Sequence, residues 1–219
     1  MTQVIQAQNI SLAYLKEKFG LQKTTQTDFF LEWVDNLPEI NDLEKQYLNR
    51  VKTNYLSMAE NAAILEEAVK MVVLSPLLDL AGFYLSPFQI ATEESIEISE
   101  ENMIDDSEDS QSETKEIIKG KIDVLVLQQK LWLLVIESKR SSFSLFKAIP
   151  QALTYMIANP QPQNPVYSLV LNGEDFQFIK LVKSDGLFYA LSDRFTLYRQ
   201  ENELFHVLAV LKRLGQVLV

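Results

Sequence analysis

The sequence contains no cysteine and only one histidine, His206. The first absence excludes disulfides, thiolate zinc sites and thiol nucleophiles, and it fits a reducing compartment. The second means that any Ser-His-Asp triad or imidazole metal site would have to use His206. That residue lies in an amphipathic C-terminal run, LFHVLAVLKRLGQVL, where a helix-surface or satisfied core histidine is the simpler reading. Long apolar runs are also missing: none reaches the ~18 residues needed to span a bilayer. The first residues, MTQVIQAQNI, lack the basic and then apolar order of a signal peptide. A cytoplasmic protein without membrane contact is expected.

A surplus of positive charge is absent too, since the net charge is -10. On its face that argues against a nucleic-acid partner, but the charge is local. Between Glu93 and Glu116 stand eleven acids and one base, Lys115; the remaining chain holds 19 of each sign. The run SEENMIDDSEDSQSETKE has little to bury and repels itself, so residues 99–116 are expected to form a mobile acidic loop between two strands.

What the sequence does have is enough apolar material for one sizeable core, 47% of 219 residues, so a single domain over residues 1–219 is expected. Residues 1–60 read as a helical N-terminal extension. From Leu43 through Tyr47, Val51, Tyr55, Leu65, Val69 and Val72 the apolar positions recur at helical spacing, with Pro76 expected to break or kink the last helix and Gly82 to end it. Strands follow at Phe88–Ile98, Gly120–Gln128 and Leu131–Ser138, the last two forming a hairpin that turns at Gln129 and Lys130. A helix over Ser144–Ala158, a hairpin signalled by Asn172-Gly173, a strand near Leu187–Leu191 and a final helix from about Glu201 complete the pattern. The fold class is α/β, a mixed β-sheet flanked by helices, with residues 61–172 as its core.

Within GKIDVLVLQQKLWLLVIESKR, three charges adjoin near-continuous apolar strands: Asp123, Glu137 and Lys139. An ionised carboxylate beside a buried strand is costly unless it is paired or binds a metal. The hairpin places Asp123 and Glu137 almost symmetrically about the turn, as cross-strand neighbours. Alternation puts Glu137 and Lys139 on one face of the sheet. Two carboxylates offer hard oxygen ligands for Mg²⁺, with Mn²⁺ as a substitute, and a lysine can orient a nucleophile or neutralise developing charge. Such a set suits phosphodiester hydrolysis. A strand-end acid and a solvated Glu-Lys pair are the plainer reading of the same residues.

The pattern GKID followed by VIESK resembles the motif of the PD-(D/E)XK nuclease superfamily. More narrowly, the chain resembles the N-terminal nuclease domain of type I restriction enzyme R subunits. Glu66 begins EEAVKMVVLSPLLDLAGF, similar to that family's leading helix, although the adjacent Glu67 competes for the role. Gln151 and Tyr155 in PQALTYM match the family's Q-x-x-x-Y motif. The resemblance covers roughly Leu65 to Leu171 and implies a restriction-endonuclease-like fold. It further implies Asp123, Glu137, Lys139 and Glu66 as catalytic residues, with Asp123 and Glu137 holding Mg²⁺ and Gln151 and Tyr155 in support. DNA is the implied partner; the basic residues Lys139, Arg140 and Lys147, which flank the proposed site, suit contact with a DNA backbone, and a solvated charged rim is the plainer reading of them. Ile122 stands where the family name has proline, and no motor or specificity module is present, so separate subunits would supply those functions. A nuclease-like module that binds nucleic acid or assembles with partners without cleaving is the alternative.

Overall fold

The computed structural model describes residues 2–99, 115–128, 131–161 and 163–217. Most of the expected acidic loop and the turn at Gln129 and Lys130 lie outside them. The element order is β1 (Thr2–Gln6), α1 (Leu12–Phe19), β2 (Gln22–Lys23), α2 (Asp42–Ala59), α3 (Glu66–Val69), a π-helical turn (Lys70–Leu74), α4 (Ser75–Leu80), β3 (Phe88–Ser99), β4 (Lys115–Gln128), β5 (Leu131–Ser138), α5 (Leu145–Ile157), β6 (Val166–Leu171), β7 (Asp175–Lys183), β8 (Leu187–Thr196) and α6 (Leu204–Val217). A single eight-stranded sheet runs β1-β4-β5-β6-β7-β8-β2, with β3 pairing on the other side of β4. Both parallel and antiparallel pairs occur, so the expected mixed sheet flanked by helices is what the chain forms.

The β4–β5 hairpin is covered on both faces, as its apolar sequence requires. One face carries Val124, Val126, Leu134 and Ile136 into a core with α2, α4 and α6. The other carries Leu125 and Val135 against α5. Helix α5 itself is buried on nearly every side, eleven of its thirteen residues, because the N-terminal segment packs over it with Ala7, Ile10 and Leu15. Helix α2 starts at a capping box, in which Asn41 Oδ1 accepts from the Glu44 backbone N–H at 3.0 Å and Glu44 Oε2 accepts from the Asn41 N–H at 2.9 Å.

The N-terminal 60 residues are not the purely helical extension that the sequence suggests. They supply both ends of the strand order: β1 lies parallel to β4, and β2 parallel to β8. Strands of five and two residues with mostly exposed side chains leave no periodicity to detect. The acidic segment is also shorter than residues 99–116. Ser99 pairs with Ile117, and Lys115 and Glu116 pair with β1, because the neighbouring strands satisfy their backbone groups.

Pro76 does not break its helix. It lacks the N–H that would bond one turn back, and the wider π turn at Lys70–Leu74 absorbs the crowding immediately before it. Gly82 does end it, in the left-handed region at φ 80°. His206 is structural, stacked on Phe195 with its Nε2 3.0 Å from the Trp33 carbonyl.

Candidate functional site

Gln128 pairs with Leu131 and Leu127 with Trp132, which alone would set Asp123 opposite Ile136. Between Val126 and Leu127 the register shifts by one residue, leaving Leu133 as the extra member of β5. Beyond that bulge Val124 pairs with Ile136, and continuing the register brings Glu137 opposite Asp123. A one-residue slip exchanges the faces of a strand, so the bulge is what aims both carboxylates at one place.

The ladder opens at Asp123. On the β3 side Thr92 pairs with Val124 and Glu94 with Ile122, while the intervening Glu93 takes φ 55° and leaves the regular strand conformation. The Asp123 carboxylate turns to other partners: Oδ2 accepts the Ser138 backbone N–H at 2.8 Å, and Oδ1 accepts from Lys70 Nζ at 3.1 Å. Glu137 is 1% exposed. Its Oε1 accepts from Lys139 Nζ, and its Oε2 is buried without a hydrogen-bond partner. Burial, then the charge of Asp123, pushes the Glu137 carboxyl up to about 8 against the opposing pull of Lys139. The Lys139 ammonium also lies over the Phe143 ring, 5.8 Å from its centroid.

The six residues that the resemblance implies as catalytic or supporting, Asp123, Glu137, Lys139, Glu66, Gln151 and Tyr155, come to this region. Gln151 Nε2 donates to Tyr155 Oη at 2.7 Å inside α5. Burial and then the Glu137 charge hold the Tyr155 hydroxyl well above its ordinary pKa, so the ring lies within electrostatic reach of the carboxylates. Tyr155 fits there because β4 has Gly120, where a Cβ would come within 2.7 Å of Tyr155 Cε1. Glu66 and Glu67 each place an oxygen 3.2 Å from Lys70 Nζ. Their side chains differ in exposure, 36% against 80%, and the Glu66 charge contributes to raising Glu137. Glu66 is therefore the one that faces the carboxylates.

Lys70 was not legible as a site residue. Its ammonium touches Asp123, Glu66 and Glu67 and lies 3.9 Å from Glu93. Burial works against its charged form, but the Asp123 charge and the hydrogen bonds to Asp123, Glu67 and Glu66 outweigh it and raise its pKa. One sequence signal existed: Glu66 and Lys70 are four apart, a spacing that pairs charges on one helix face. The chemistry of the donor set fits a hard divalent cation, with a buried carboxylate oxygen unpartnered beside a second carboxylate. Among the described residues, no three His, Cys, Asp or Glu side chains converge into a complete metal cage.

No family profile matches the chain, and no curated protein does. Among solved structures it is similar to a fragment assigned as the HsdR subunit of a type I restriction enzyme from Vibrio vulnificus. That match has 16% identity and a TM-score of 0.40 and covers 61% of this chain and 24% of the other. It is also similar to DrdV in its complex with DNA, at 12% identity and a TM-score of 0.44, covering 78% of this chain and 14% of the other. The chain thus spans a quarter or less of the length of either protein. Neither superposition is close enough to add to what the side chains themselves say. Among the described residues, no helix is long and apolar enough to cross a membrane.

Proposed function

We propose that this chain is a metal-dependent DNA endonuclease module of the PD-(D/E)XK type, similar to the nuclease domain of type I restriction R subunits. The observation that carries the reading is Glu137, 1% exposed, with Oε2 unpartnered and Asp123 across the strand pair. A buried carboxylate oxygen left without a donor is costly, and a cation is the partner that this donor set suits. Asp123 and Glu137 would hold Mg²⁺ or Mn²⁺, which supplies charge neutralisation and Lewis-acid polarisation of a phosphate. Lys139 holds a positive charge beside the reacting position, where it neutralises charge developing on the phosphate. Glu66 adds negative charge at the mouth of the site, and Gln151 holds Tyr155 as a buried wall against the carboxylates. DNA is the proposed substrate.

The test compares wild type, Asp123→Ala and Lys139→Ala in two assays. Calorimetric titration with Mn²⁺ should lose binding in Asp123→Ala and keep it in Lys139→Ala, which removes no ligand. Plasmid nicking should fall in both, by ~10²-fold or more for the lysine variant. Asp123→Ala binding metal as wild type does would overturn the assignment.

A second reading, an inactive module that binds nucleic acid or assembles with partners, is favoured by one observation. Both oxygens of Asp123 are already engaged, by Lys70 and by the Ser138 N–H. Wild type that binds metal and DNA but nicks neither supercoiled nor linear substrate would decide for it.

A further inference from the structure

Asp123 Oδ1, the oxygen not taken by the Ser138 N–H, is held by Lys70 Nζ at 3.1 Å. The same ammonium lies 3.2 Å from both Glu66 and Glu67, with its side chain only 16% exposed. It is thus the positive charge at the focus of three carboxylates, and it sits where α3 passes into the π-helical turn. Glu137 Oε2 stays buried and without a hydrogen bond, to this counter-ion or to any other donor among the described residues. A divalent ion held by Asp123 and Glu137 would have to share the Asp123 carboxylate with Lys70, and it would meet a like charge at contact distance.

We infer that Lys70 is a built-in competitor for the metal: its ammonium serves as resident counter-ion of the carboxylates, and a divalent ion enters by displacing it from Asp123. The inference rests on the metal-site reading above and adds its regulation. The side chain sets how much metal the site needs. It also keeps three acids from repelling one another while no metal is bound. An unbranched lysine suits the exchange, since its flexible stem can swing the charge aside where a shorter side chain would have to move its helix.

The full chain, stripped with chelator, is titrated with Mn²⁺ by calorimetry and by loss of the free-ion paramagnetic resonance signal. Wild type is compared with Lys70→Gln and Lys70→Arg. Lys70→Gln should bind Mn²⁺ ~10-fold or more tightly than wild type, while Lys70→Arg, which keeps the charge, should not gain. Equal or weaker binding by a folded Lys70→Gln overturns the competitor role and leaves the metal site standing. If neither wild type nor folded Lys70→Gln binds Mn²⁺, the metal-site reading falls and the exchange falls with it. Wild type alone supplies a second readout, independent of how the variants fold. Reaction of the Lys70 amine with an acylating reagent, followed by peptide mass spectrometry, should speed up several-fold when saturating Mn²⁺ frees it. An unchanged rate at a Mn²⁺ concentration that calorimetry shows to be saturating means that Lys70 never leaves, which also overturns the inference.

Discussion

At the scale of single residues, Glu137 carries the largest electrostatic tension in the site. An ordinary glutamate ionises near 4.5, whereas Glu137 in its buried position does so near 8. Between those values the folded chain holds a proton that the unfolded chain has released. Stability without metal is therefore fullest below the lower value and declines as pH rises through the upper one. The loss should amount to a few kcal/mol. Thermal unfolding in chelator at pH 5 and pH 8 should show a clear drop in Tm for wild type, and Glu137→Gln should remove most of it. A wild-type Tm that is flat over this window would mean that Lys139 keeps Glu137 ionised throughout. The sequence showed Glu137 and Lys139 as a pair but not this balance, because the outcome depends on burial that only the folded sheet supplies, where Val170 of β6 pairs with Glu137. Lys70 was hidden for a similar reason, since its partner Asp123 lies 53 positions away.

At the scale of elements, the hairpin Gly120–Ser138 was legible because its two apolar runs and three charges lie within one short stretch of sequence. The bulge at Leu133 was not, and a symmetric turn leaves the two carboxylates one register step out of line. The edge strands β1 and β2 escaped notice because they pair with chain more than a hundred residues away. The Asn172-Gly173 signal proved more than a turn. Asn172 Oδ1 accepts the N–H groups of Glu174 and Asp175 at 3.0 and 2.8 Å, and its Nδ2 donates to the Phe143 carbonyl at 3.0 Å. The loop that follows Lys139 is thereby tied to the β6–β7 turn, alongside the bond from the Lys139 N–H to the Leu171 carbonyl at 2.8 Å. Gly173 has φ 88°, and a Cβ there would come within 2.5 Å of Tyr55 Cε2 in α2. Gly173→Ala should therefore cost ~2–3 kcal/mol, from the left-handed backbone and the overlap with a fully buried ring together. A chemical-denaturation midpoint within error of wild type would show that the Tyr55 ring gives way freely. If cleavage is measured as well, it should weaken beyond the stability loss, because the same turn braces the loop after Lys139.

At the scale of the whole molecule, the proposed DNA substrate would meet a chain of net charge -10. Residues 100–114 carry seven acids and no base, while the chain outside 93–116 is balanced. On the proposed nuclease reading, attraction to DNA would be local, with Lys139 and the exposed Arg140 and Lys147 as its candidates and the acidic segment as an opposing field. That segment joins β3 at Ser99 to β4 at Lys115. Ile117, the β4 residue paired with Ser99, is six residues from Asp123, or ~20 Å along the strand at ~3.3 Å per residue. The screening length is ~30 Å at 0.01 M salt and ~8 Å at 0.15 M. Replacing residues 100–114 with a short Gly-Ser turn should therefore raise affinity for a fluorescent DNA duplex several-fold at the lower salt and leave it nearly unchanged at the higher. Fluorescence anisotropy at both salt concentrations checks this. A gain that persists at 0.15 M would mean that the segment blocks the DNA site by contact. No gain at 0.01 M would mean that DNA docks on a side of the sheet that this field does not reach, and Arg140 and Lys147 would no longer be the residues to mutate next.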